Sequence, residues 1–284
     1  MGKLQERMKR DMELRNFSLR TIKSYLWWMR DFVMHYGRSP EELGDEEIRS
    51  YLHFLLKEKD ASQASLSQAY SALKFFYERT LGREWNETRI PRSLREKKLP
   101  VVLSLEEVQE AFNAIKNLKH RTILTTIYSG GLRLGEALRL KVRDIDSRRM
   151  MIRVRQGKGH KDRYTLLGEK ALKMLRIYWD VYRPREWLFP STNLDQPLHP
   201  SSVQRVFRKA LREAGIEKEA SVHTLRHSFA THLLEEGIDL FYIQRLLGHT
   251  TPNTTAIYLH VARKDIKNIR SPIDQMPEMQ DPDK

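Results

Sequence analysis

Six side chains spread over the second half of the chain, Arg133, Lys158, His223, Arg226, His249 and Tyr258, combine one phenol with three permanent cations and two imidazoles. A phenol is a weak nucleophile at neutral pH, and a phosphodiester anion repels attack unless fixed positive donors neutralise its oxygens as a fifth ligand arrives. The set could meet both needs, so attack of a tyrosine on a DNA phosphodiester is the chemistry it suits. Taken singly the members say little. Arg133 and Glu136, one helical turn apart, could equally form a surface ion pair, and a mid-helix Tyr258 is an ordinary half-buried residue. Lys158, flanked by Gly157 and Gly159, could grip phosphate nonspecifically or donate a proton to a leaving alkoxide. His223 and His227 stand four apart as metal ligands might, but no carboxylate accompanies them in a metalloprotease arrangement and zinc needs a third ligand, so no metal site is expected.

Bulk composition narrows the setting. The 284 residues are enough for two cores, and 51 Lys and Arg against 37 Asp and Glu give a formal charge of +14, which favours a polyanionic partner or, more blandly, a solubilising surface. With no cysteine in the sequence, a disulfide framework, a thiolate nucleophile and a thiolate metal site are all excluded. No apolar run reaches the ~20 residues that span a bilayer, and the N-terminus is charged where a signal peptide would be greasy. A cytoplasmic protein is expected.

The elements that must position the six residues follow from periodicity. Ile22, Tyr25, Leu26, Met29, Phe32 and Val33 recur at steps of three and four between Ser18 and Gly37, the mark of one buried helix face. Asp45 can cap the next helix, with Ile48, Tyr51, Leu52 and Leu55, and a further periodic segment runs from about Ser62 to Leu81. Trp27, Trp28 and Phe32 could stack on bases, although aromatics at this spacing more often fill a core. Residues 1–84 thus read as a helical bundle. Residues 85–100, WNETRIPRSLREKKLP, have two prolines, five cations including Arg92 and Arg95, and no sustained period; they read as a basic linker, either a solvated connector or a strap along a phosphate backbone.

Ser104 and Glu107 form a capping box that opens a second domain over residues 101–270. Two amphipathic helices follow, then a glycine break, then LRLGEALRL with Arg133 at a helix start. In MMIRVRQGKGHKDRYTLLG the period changes to two, predicting a β-hairpin with Lys158 at its tip and Arg153, Arg155, Lys161 and Arg163 as candidate DNA contacts. A capped helix follows from about Ser201 to Ala214. Leu225, Phe229 and Leu233 mark the buried stripe of the next, with His223 and Arg226 on another face. Gly248 ends the helix after that, leaving His249 in the turn, and Thr251 and Pro252 start a last helix carrying Tyr258.

With these motifs in view, the chain resembles the tyrosine recombinases, or phage-type integrases, of the Xer kind. The resemblance covers most of residues 100–262 and rests on SGGLRLGE, GKGHKDR, HTLRHSFATHLLEEG and LGHTTPNTTAIYLH, in the family's order and separations. It implies a mainly α fold with a small β-sheet in the C-terminal domain, arranged as a two-domain, C-shaped clamp whose N-terminal bundle is a core-binding DNA domain. It also implies that Arg133 and Arg226 hold the nonbridging oxygens of the scissile phosphate with His249 as a third donor. Tyr258 would attack in line to leave a 3′-phosphotyrosine, Lys158 would protonate the departing 5′ oxygen, and His223 would accept or orient the tyrosine proton. Glu136 would orient Arg133. Neither ATP nor a metal nor a small-molecule cofactor is implied; the partner is double-stranded DNA, bound by a homotetramer on two sites.

Two other readings stay open on the residues alone. Religation by the same 5′ end would make a type IB topoisomerase, and the helix-turn-helix look of residues 221–258 would suit a noncatalytic DNA-binding regulator. An integron-type enzyme is disfavoured, because the stretch from Leu188 to Val222 is too short for the extra helix that subtype carries. The tail after Tyr258 could meet a neighbouring protomer or its own domain through Val261, Ile266 and Ile269, and the acidic residues 271–284 are expected to be disordered.

Overall fold

A computed structural model describes residues 2–92, 99–155 and 162–261. The chain divides into two compact units, Met1–Lys97 and Lys98–Lys284. In the first, helices α1 (Gly2–Leu14), α2 (Leu19–Tyr36), α3 (Asp45–Lys57) and α4 (Gln63–Lys74) pack together, and α4 runs on as a π-helical stretch over Phe75–Thr80. Ser18 accepts from the Thr21 amide at the start of α2, and Gly37 closes it in the left-handed conformation, as Ser and Gly do at helix ends. For α3 the cap is Gly44 rather than Asp45, and the Glu47 carboxylate accepts from the Gly44 amide. Phe32, Met12, Tyr51, Leu73 and Phe76 are fully buried in its core, each such side chain contributing roughly 1.5–3 kcal/mol of transfer free energy.

The segment read as a linker begins later than its composition suggests. Ile90 is buried in the core of the first unit and Trp85 packs against it, the indole donating to the Tyr70 hydroxyl at 2.9 Å. Arg92 lies over the Tyr70 ring and donates to Ser67. A single Trp and a single Ile carry no period, so nothing local marked them as core.

The second unit is built on α5 (Leu105–Asn113), α6 (Leu118–Gly130) and the short α7 (Leu134–Leu138), followed by strands β1 (Ile145–Asp146), β2 (Met151–Val154) and β3 (Arg163–Leu166). The strands form one antiparallel sheet in the order β1-β2-β3, with Ile152 opposite Thr165 and Val154 opposite Arg163. The hairpin is the one its alternation predicts; β1 adds an edge too short to show a period. Helices α8 (Glu169–Tyr182), α9 (Pro200–Glu213), α10 (Val222–Glu235), α11 (Leu240–Leu247) and α12 (Asn253–Ala256) complete the unit, with a 3-10 turn over Ile257–His260. The Ser104–Glu107 capping box forms as expected.

Two apolar clusters hold this unit. The larger gathers Ile123, Leu124, Ile127, Ile152, Phe189, Phe207 and Leu225. A smaller one gathers Phe229, Ala230, Leu234, Ile243, Leu247 and Tyr258. Gly131 joins the two: its φ is +56° and a Cβ there would stand 2.3 Å from the Phe229 ring, so only glycine lets α6 turn into the Arg133 segment at this distance.

Candidate active site

Glu136 is the centre of the charged cluster. Placed at the first turn of α7, its carboxylate accepts from the Arg133 amide at 2.9 Å and from Arg133 Nη1 at 2.7 Å. Arg163 meets the same carboxylate with two bonds of 3.0 and 2.8 Å, and Arg226 Nη1 lies 3.8 Å from Oε2. One buried carboxylate therefore serves three guanidiniums. Burial pushes the Glu136 pKa up, but the bonds and charge of Arg163 and those of Arg133 prevail and hold it at about 2, so it is ionised across the neutral range.

Arg226, on α10, is only 1 % exposed. Its Nη1 donates to the Gly131 carbonyl at 2.7 Å and its Nη2 to the Leu247 carbonyl at 2.6 Å. Burial and the charge of Arg133 lower its pKa to about 9, which leaves it protonated at pH 7. A guanidinium has five N–H donors; these two contacts orient the fork and leave others for an anion. Arg133 is less buried, with its side chain 26 % exposed.

His249 follows Gly248, which caps α11 in the left-handed conformation. The imidazole is half-buried, and its Nδ1 lies 2.9 Å from the Thr255 hydroxyl. Burial and the charges of Arg226, Arg133 and Arg163 push its pKa down to about 3. In the tautomer that accepts from Thr255 at Nδ1, the neutral ring carries its proton on Nε2.

Tyr258 sits on the 3-10 turn after α12 and is 1 % exposed, its ring inside the smaller apolar cluster. Its hydroxyl lies 3.1 Å from His227 Nδ1. Burial raises its pKa, while the charges of Arg226 and Arg133 act to lower it. The phenol expected to attack is thus within the field of both arginines but housed away from solvent.

His227 is the functional candidate that sequence reasoning missed, having been weighed only as a metal ligand. Its neighbour His223, expected to take the phenol proton, lies edge-on against the His227 ring with centroids 4.6 Å apart, and it is His227 that reaches the Tyr258 hydroxyl. Burial, His223 and Arg226 drive the His227 pKa down to about 4, so its ring is neutral at pH 7. The available signal was position: His227 follows Arg226 directly and lies one turn from His223. Among the described residues, no group of three or more His, Asp or Glu converges as a metal site.

The expected DNA contacts divide. Arg163 is a correction: its side chain is 10 % exposed and its nitrogens are spent on Glu136 and on the Leu246 carbonyl, the latter at 2.8 Å. Arg155 pairs at 2.5 Å with the buried Asp144, and Arg153 pairs at the surface with Asp162 at 2.9 Å. Arg92 is exposed on the first unit. Lys158, Lys161 and Arg95 lie outside the described residues, as do Ile266, Ile269 and residues 271–284.

A helical domain followed by a second domain in which three arginines gather on one glutamate, with a buried tyrosine held by a histidine nearby, is the build of a tyrosine recombinase. Residues 101–265 match the phage integrase family, and residues 4–87 match the phage integrase N-terminal SAM-like domain. The chain is 45 % identical over 278 residues to the putative integrase/recombinase y4qK of Sinorhizobium fredii, covering 98 % of this chain and 90 % of that protein. It is 35 % identical over 266 residues to the tyrosine recombinase XerA of Pyrococcus furiosus, covering 90 % and 88 %. Among solved structures, the lambda integrase tetramer bound to a Holliday junction shares the fold at a TM-score of 0.74 and 20 % identity, over 95 % of this chain and 80 % of that one. The protein belongs to the phage integrase family.

Proposed function

We propose that the protein is a site-specific recombinase that cuts and rejoins duplex DNA through a 3′-phosphotyrosine link. The observation that carries this is the convergence of Arg133 and Arg226 on Glu136 beside Tyr258, within a chain of this family. The two guanidiniums would bind the nonbridging oxygens of the scissile phosphate, and His249 would add its Nε2 proton as a third donor. Because Tyr258 is housed in an apolar pocket, its turn must swing out when DNA is engaged. As the phenol oxygen bonds to phosphorus, its proton passes to an imidazole, either His227, which meets the hydroxyl before the turn moves, or His223, whose ring packs against it. The 5′ oxygen leaves as the phosphorus–oxygen bond breaks and takes a proton from Lys158. Attack by a 5′ hydroxyl on the phosphotyrosine reverses these events, and the diester energy held in the protein–DNA bond makes ATP unnecessary.

Relatives named as recombinases favour exchange between two duplexes over simple relaxation of one. By analogy with the tetrameric lambda integrase on its junction, four copies of this chain would act on two sites. The first unit is the DNA-gripping domain and the second the catalytic one. No helix among the described residues is long and apolar enough to cross a membrane, and a cytoplasmic location suits an enzyme acting on cellular DNA.

Duplexes selected from a random pool by binding to the Tyr258→Phe protein, then nicked near the selected site, provide a trapping substrate. Wild type should form an SDS-resistant adduct with them and the variant none. An adduct that persists in Tyr258→Phe would move the nucleophile elsewhere, and specific binding with no adduct in wild type would favour a regulator.

A further inference from the structure

We propose that Arg163 is a positioning residue for strand cleavage, locking Glu136 and the end of α11 in place so that Arg133, Arg226 and His249 stand ready for a phosphate. The proposal rests on the recombinase reading above.

Arg163 opens β3, and it meets two other elements at once. Its Nη1 and Nη2 form a fork on the Glu136 carboxylate at 3.0 and 2.8 Å, and its Nε donates to the Leu246 carbonyl at 2.8 Å. The turn after α11 lies directly on its stem: a Cβ on Gly248 would be 2.7 Å from Arg163 Cδ and 3.1 Å from Nε, at a φ of +65°. Only a glycine can approach this closely in that conformation.

The adjacent carbonyl, that of Leu247, accepts from Arg226. Leu246 and Leu247, the last two residues of α11, therefore each give their carbonyl to a buried arginine, and both arginines lie beside Glu136. His249 is two residues beyond Leu247, so the same contacts set where its ring emerges. Glu136 in turn orients Arg133 through both the backbone amide and the side chain. Three of the five Arg163 donors are engaged and its side chain is only 10 % exposed, so it offers no open fork to a phosphate and its charge acts through the carboxylate. Lysine at this position would keep the charge but has no planar fork, so it cannot hold Glu136 and Leu246 together.

The test uses the full chain and the duplex selected with the Tyr258→Phe protein. Arg163→Lys should bind it with unchanged affinity and unchanged salt dependence, while single-turnover cleavage falls by about 10²-fold, as when an aligned donor is lost at a reacting centre. Arg163→Met should do the same in the wild-type background and cost little more when Glu136 is already Gln, because the two act as one unit. Weaker binding with a salt slope shallower by roughly 0.9 would make Arg163 a phosphate contact and overturn the proposal. So would cleavage by Arg163→Lys at the wild-type rate, or a lysine variant that fails to fold, which would make the residue a determinant of the fold alone. If the wild-type protein forms no adduct on this duplex, the recombinase reading itself fails, and that is seen before any Arg163 variant is compared.

Discussion

Replacing Glu136 by Gln removes one charge and almost no volume, yet it should be among the costliest single changes in the second unit. The carboxylate is buried and faces Arg133, Arg163 and Arg226; a Gln amide would turn N–H groups toward guanidinium N–H groups and leave buried cations uncompensated. The pKa gives the magnitude. A carboxyl that titrates at about 2 when folded, against 4.5 ordinarily, contributes about 3 kcal/mol at neutral pH, in line with the roughly 3–5 kcal/mol for breaking a buried ion pair. For a unit of this size that is a fall in Tm of about 6–12 °C. Because the folded pKa is depressed, the contribution is complete above the unfolded value and is lost as pH falls from 4.5 toward 2. Thermal unfolding of wild type and Glu136→Gln should therefore differ most at pH 7 and converge in acid, with about half the gap gone by pH 3. Equal Tm values at pH 7, or a gap that stays constant down to pH 3, would refute the claim that this carboxylate neutralises the arginine cluster.

Two further outcomes concern the chemistry. Lys158→Ala should keep DNA affinity while losing cleavage, and a substrate with a bridging 5′ sulfur, whose thiolate leaves without a proton, should restore it; failure of that substrate to rescue would remove Lys158 from the acid role. For His227, burial keeps the ring neutral until pH falls to about 4, so kcat/KM, which reports free-enzyme groups, should show no loss from this imidazole between pH 8 and 6 in wild type. A fall centred near 6.5 that disappears in His227→Gln would contradict the buried, neutral acceptor.

Much of the site could be read from residue order alone because its members recur in blocks whose helix starts and stops are marked by Ser104, Gly131, Gly215 and Gly248. What escaped was direction. In the run from Arg163 to Leu166, Tyr164 and Leu166 look like the inward pair, yet they are 48 % and 40 % exposed while Thr165 is fully buried and Arg163 nearly so. The polar pair faces inward because Glu136, 27 residues upstream, and the Gly130 carbonyl wait there for a guanidinium and a hydroxyl. Alternation reveals that a strand has two faces, not which of them meets a buried charge. Arg155, its side chain 34 % exposed, also reaches a buried carboxylate, that of Asp144, without leaving the face its alternation gives it. The burial of Tyr258 was equally hidden, since it depends on α10 and α11 closing over a turn whose own sequence, NTTAIYLH, is amphipathic in no clear sense.

The satellite cluster around Phe229, Ile243 and Leu247 is separate from the main core, and Tyr258 is its most polar member. Its withdrawal would vacate a niche without disturbing the larger packing, so readiness to react becomes a local opening equilibrium rather than a rearrangement of the whole domain. A solitary copy would then be chemically quiet, its phenol sheathed, and whatever favours the open turn on bound DNA would decide when a strand is broken.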